Sequence, residues 1–176
     1  MRYFFDTEFI ENGKTIDLIS IGIVAEDGRE FYALNYDCDY SKAGQWVKSN
    51  VLPYLPNRNR RNLASGEADL FGKYASHKQI AVKALSFCDP STYGSPEFWA
   101  YYADYDWVAF CQLYGTMMDL PDGFPMYCRD LKQEADRLGI DLSDSVPQEN
   151  EHHALADARW NKSAYDHLKR TKAKLC

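Results

Sequence analysis

Near the start of the chain an apolar run, Tyr3-Phe4-Phe5, leads straight into Asp6-Thr7-Glu8. The run is apolar enough to form a central strand, where carboxylates without partners are costly. Residues two apart on a strand project from one face, with Cα atoms roughly 6.5 Å apart. Asp6 and Glu8 therefore share a face, while Phe5 and Thr7 point the other way. That geometry lets both carboxylates reach a hard cation. A solvated strand face is the usual reading of an Asp-x-Glu pair; the apolar run before it favours a functional one here, although the pair alone is weak evidence.

The next two segments read as partners of this first strand, Arg2–Glu8. Asp17–Ala25 is rich in β-branched residues, Glu26-Asp27-Gly28 is a turn, and Arg29–Tyr36 is a third strand. Gly13 falls in the first hairpin loop. Ser41 can cap a short helix to about Ser49, which Pro53 and Pro56 stop. Asn57–Gly66 is polar, basic and aperiodic, and is expected to be a mobile excursion. Ser76 caps a helix over His77–Cys88, and Pro90–Pro96 is a loop. Phe98–Tyr102 is an aromatic strand, and Tyr105–Tyr114 a helix. Pro121–Pro125 forms another loop. A helix near Arg129–Leu138 ends at Gly139, and Ala154–Lys169 is the last helix. Strands first, then helices mixed with further strands, predict an α/β protein whose mixed sheet begins with an antiparallel three-strand meander flanked by helices.

At 176 residues the chain fits one domain with a substantial core. The net charge of −6 argues against a protein that coats duplex nucleic acid, which needs many phosphate contacts. It does not exclude an enzyme holding a few terminal nucleotides, because bound cations invert the local field. The five cysteines are widely spaced with no C-x-x-C pair, which argues against a zinc framework and fits a reducing compartment. No apolar stretch approaches the ~20 residues of a membrane span, and Met1-Arg2 leads directly into the first strand. A cytoplasmic protein is expected.

Two further places carry candidate chemistry. Asp104 and Asp106 both stand at the start of a helix, where capping alone would suit either, and composition does not separate them. His152-His153-Ala154-Leu155-Ala156-Asp157 supplies a histidine and a carboxylate. Five helical residues turn through about 500°, leaving His152 and Asp157 about 140° apart. For both to act together, His152 must lie on the loop before the helix and Asp157 in its first turns. Asp157 would then bind metal while neutral His152 accepts a proton from water.

These segments together resemble the DEDDh 3′–5′ exonuclease superfamily, whose fold is ribonuclease-H-like. The first motif resembles Asp6-Thr7-Glu8-Phe9, followed by Ile19–Val24. The second resembles Ala103-x-Tyr105-Asp106-x-x-x-Phe110, and the third His152-x-Ala154-Leu155-x-Asp157-Ala158. The resemblance selects Asp106 over Asp104 and His152 over His153. Within the superfamily, Met1–Gly13, Leu18–Glu30 and Tyr105–Leu113 with Gly115 are similar to the RNase AS group of bacterial exoribonucleases, and the similarity weakens over Asn57–Tyr74.

The resemblance implies a homodimer that trims single-stranded RNA from its 3′ end, with a preference for adenosine. It implies two Mg²⁺ ions, replaceable by Mn²⁺, on Asp6, Glu8, Asp106 and Asp157, with His152 as the base and nucleoside 5′-monophosphates as products. A DNA exonuclease on the same fold is the nearest rival, and a non-catalytic nucleic-acid adaptor a more distant one. Phe9, beside the acids, could stack on terminal bases or simply pack. Arg58, Arg60 and Arg61 could track phosphates or simply be solvated.

Overall fold

The computed structural model describes residues 1–66, 70–149 and 151–175. Among these, strands β1 (Arg2–Glu11), β2 (Ile16–Ala25) and β3 (Glu30–Asn35) form the expected antiparallel meander. β4 (Lys73–Ala75) lies parallel to β3, β5 (Glu97–Ala100) parallel to β1, and β6 (Arg129–Asp130) parallel to β5. The sheet order is β4-β3-β2-β1-β5-β6, a ribonuclease-H-like topology with β1 and β2 at its centre.

Helices cover both faces. α1 (Gln45–Asn50) follows a single turn at Tyr40–Lys42. α2 (His77–Phe87) starts in a capping box in which Ser76 and Gln79 satisfy each other's backbone N–H groups. α3 is Pro90–Tyr93, α4 Asp104–Gln112, α5 Leu131–Leu138, α6 Leu142–Ser145 and α7 Ala154–Leu175.

The strand period of two sorts β1 between two cores. Tyr3 and Phe5 face one side, where Phe98, Trp107, Phe110 and Phe124 interlock with them. Phe4 faces the other, against Tyr165 of α7. Asp6 and Glu8 continue the Phe4 face, so the acids look toward α7. Asn161 of α7 donates to the Phe5 carbonyl at 2.8 Å, and Arg159 forms a two-pronged ion pair with Glu30 of β3.

Several expectations are corrected. β1 runs three residues past Glu8, through a bulge between Glu8 and Phe9. The helix expected from Ser41 is two pieces, the turn at Tyr40–Lys42, capped by Asp39, and α1. Pro90–Tyr93, expected as loop, makes one helical turn capped by Asp89. Arg129 and Asp130 are a strand, and Asp130 caps α5, whose end at Gly139 adopts the left-handed conformation (φ 65°). Asn57–Gly66 is anchored to the fold at two points. Arg58 donates to the carbonyls of Asn35 and Cys38 and lies 3.8 Å from the Tyr40 ring centre, while Leu63 bridges to Tyr74. Strands of two or three residues show no period, which is why β4 and β6 escape a pattern reading.

Candidate active site

The active-site candidate forms where β1 and β5 part company. Their ladder stops at the Phe4–Trp99 pair, so the next backbone groups of β1 on that side need other partners. The Phe5 carbonyl finds one in the Asn161 side chain. The Thr7 N–H donates to Oδ1 of Asp106 at 2.8 Å, and the Thr7 hydroxyl donates to the same oxygen at 2.6 Å. The gap in the sheet thereby recruits one residue from α7 and one from α4 to the strand that bears the acids.

Asp106 is buried, whereas Asp104 is exposed. Two helical residues turn through about 200°, so one had to face inward and the other outward. At the third motif, α7 begins at Ala154, leaving His152 on the preceding loop and Asp157 in the first turn. Asp157 accepts from Gln148 Nε2 at 2.8 Å and from the His153 N–H at 3.1 Å. His153 turns away from the acids: its ring packs on Tyr32 with centres 4.7 Å apart, and its Nδ1 accepts from the Ala156 N–H. His152 instead lines the acid cavity, with a left-handed backbone (φ 66°).

Asp6, Glu8 and Asp157 each place a carboxylate oxygen within 4.8 Å of the others. A cavity of about 430 Å³ spans them, lined also by Asp106, His152, Phe9, Tyr102 and Tyr105. Crowding and burial make this charge expensive. Burial, then Asp106, Asp157 and Glu8, raise the Asp6 carboxyl well above its usual range. Glu8 is pushed up to about 8 by burial and then by Asp157 and Asp106. Asp106 rises to about 6 through burial, held back by its bonds from Thr7. Asp157 is raised by burial and held back by Gln148 and the His153 N–H. Asp6, Glu8 and Asp157 form an all-oxygen set suited to hard divalent cations, which would compensate their charge, and Asp106 lines the same cavity.

A model of the Rv2179c-like 3′–5′ exoribonuclease domain matches residues 1–168. The chain belongs to this family. Two relatives from Mycobacterium tuberculosis, the 3′–5′ exoribonuclease Rv2179c of strain H37Rv and the 3′–5′ exoribonuclease MT2234.1 of strain CDC 1551, are each 43% identical to it over 159 residues. The alignments cover 90% of this chain and 88% of each relative. The matched residues of this exoribonuclease domain include both ends of the acid cluster, Asp6 and Glu8 near its start and Asp157 near its end.

Of the residues expected to contact RNA, Phe9 lines the cavity and meets Tyr105 edge-on at 5.9 Å. Arg58 does not line it, and its guanidinium is engaged by the fold. Arg60 and Arg61 lie on an exposed turn at Arg60–Asn62. Residue patterns did not single out Thr7, Gln148 and Tyr102. Thr7 and Gln148 act only through carboxylates they meet in space. Tyr102 stands out only in the structure, as an exposed aromatic of positive φ (54°) just past β5. Among the described residues no helix is long and apolar enough to cross a membrane.

Proposed function

We propose that the chain is a metal-dependent 3′–5′ exoribonuclease that releases nucleoside 5′-monophosphates from single-stranded RNA. The observation that carries this reading is the convergence of Asp6 and Glu8 with Asp157, about 150 positions away in sequence, within 4.8 Å. The family match and the names of the two M. tuberculosis relatives support RNA over DNA as substrate. An adaptor that only bound RNA would gain nothing from clustered carboxylates that repel phosphate when metal-free.

Asp6, Glu8 and Asp157, with Asp106 beside them, would hold two Mg²⁺ ions, and Mn²⁺ suits the same oxygens. When bound, such ions supply charge stabilisation to the attacked phosphate and to the departing oxygen. His152 takes the proton of the attacking water. Thr7 fixes Asp106, and Gln148 fixes Asp157. Phe9, Tyr102 and Tyr105 offer ring surfaces to the terminal bases. Arg60 and Arg61 extend the phosphate path. A homodimer and an adenosine preference complete the reading, supported by the similarity to the RNase AS group.

Digestion of 3′-labelled poly(A), poly(U), poly(C) and a DNA control, with and without Mg²⁺, tests it. Shortening of RNA from the 3′ end, only with the cation, is expected. Preferred degradation of DNA would overturn the ribonuclease assignment, and an Asp6→Asn variant as active as the parent would overturn the metal mechanism. Sedimentation of the purified chain reports the dimer.

A further inference from the structure

His152 is held in an unusual way for a histidine assigned to proton transfer. Such an imidazole normally owes its orientation to a carboxylate or carbonyl on its second nitrogen. Among the described residues no hydrogen bond holds the His152 ring. Its backbone is left-handed (φ 66°), a conformation uncommon for a residue with a side chain. The ring's aromatic contact is Trp46 of α1, at 4.7 Å between centres and 82° between planes. Trp46 is 56% exposed, although a tryptophan gains most from burial. Its backbone is anchored from its own helix, where Asn50 Nδ2 donates to the Trp46 carbonyl at 2.8 Å.

We infer that Trp46 is a positioning residue, an aromatic wall that sets the His152 imidazole in its proton-accepting orientation. The inference rests on the assignment of His152 as the base. Trp46 comes from a different element, about a hundred residues earlier, so the short helix that carries it acquires a task that its own packing does not explain. An edge-to-face contact suits that task because it restrains the ring by packing rather than by a hydrogen bond.

The test is a double-substitution cycle in the full chain, with 3′-labelled RNA and Mg²⁺. Trp46→Ala is expected to lower kcat on the order of ten- to a hundredfold while KM stays within about twofold. Trp46→Phe, which keeps a ring, should recover most of that loss. In a His152→Ala background, Trp46→Ala should change turnover by less than about twofold, because its effect passes through the missing ring. In the metal-free protein, Trp46→Ala should also shift the His152 ring-proton resonances among the chain's four histidines, by removing a ring current. Equal losses from Trp46→Ala in both backgrounds, or a loss confined to KM, would overturn the inference and make Trp46 a base-stacking surface. Full activity in His152→Ala would overturn the assignment of the base itself, and the inference with it.

Discussion

Gly22 lies so close beneath Ala154 that a β-carbon on Gly22 would stand 2.4 Å from the Ala154 carbonyl oxygen and 2.5 Å from the Leu155 Cα. Gly22 is also the ladder partner of Asp6. The missing side chain therefore lets the first turn of α7 rest directly on the sheet beside the acids, which brings Asp157 into reach of Asp6 and Glu8. This glycine is needed for close approach, not for backbone freedom.

Gly22→Ala should consequently act at both levels. Backbone atoms cannot swing aside as a side chain could, so a stability loss of about 1–3 kcal/mol is expected in urea denaturation. Turnover should fall further than that loss of folded protein explains, because Asp157 is displaced. A variant as stable and active as the parent would show that α7 can shift without cost.

The raised carboxyl of Glu8 makes a signed prediction about pH. Glu8 goes from an ordinary 4.5 to about 8 in the folded chain, so between those values the folded state binds more protons than the unfolded one. Its contribution is favourable at low pH and is lost as pH rises through about 8. Metal-free Glu8→Gln should match the parent within about 0.5 kcal/mol at about pH 4 and exceed it by at least about 1 kcal/mol at about pH 8.5. Urea denaturation at the two pH values checks this. Added Mg²⁺ should stabilise the parent more than the variant.

Adjacent histidines should respond in opposite ways. His152→Ala is expected to cut turnover on the order of 10²–10⁴-fold with the fold intact. His153→Ala removes the packing on Tyr32 and the acceptor for the Ala156 N–H, and should cost about 1–2 kcal/mol of stability with a smaller effect on kcat. Paired kinetics and denaturation separate them, and an exchange of the two phenotypes would mean that His153 is the base.

Within the basic segment, Arg58 and its two neighbours should also part. Arg58→Ala loses the Tyr40 stack and two bonds to carbonyls, so a stability loss of about 1–3 kcal/mol is expected. Arg60→Ala with Arg61→Ala should instead weaken RNA binding and lower its salt dependence. Binding titrations at several salt concentrations give the slope directly. If the Arg58 variant changes that slope and not the melting point, its guanidinium serves RNA more than the fold.

Local periods and local bonds were legible in the sequence alone. A period of two put Asp6 and Glu8 on one face, and the helical turn angle required His152 to precede the helix that carries Asp157. Ser76 and Gly139 marked helix ends because a cap is a bond or a dihedral within a few residues. The choice of Asp106 over Asp104 needed either the family motif or the fold, since both suit a helix start. Tertiary structure alone decided the rest. Gly22 matters because of Ala154, and Thr7 because β5 stops short of it. Arg58 matters because two carbonyls and the Tyr40 ring surround it, and Trp46 because His152 lies against it. The partners in each case are separated along the chain, and such contacts exist only once packing has closed the distance.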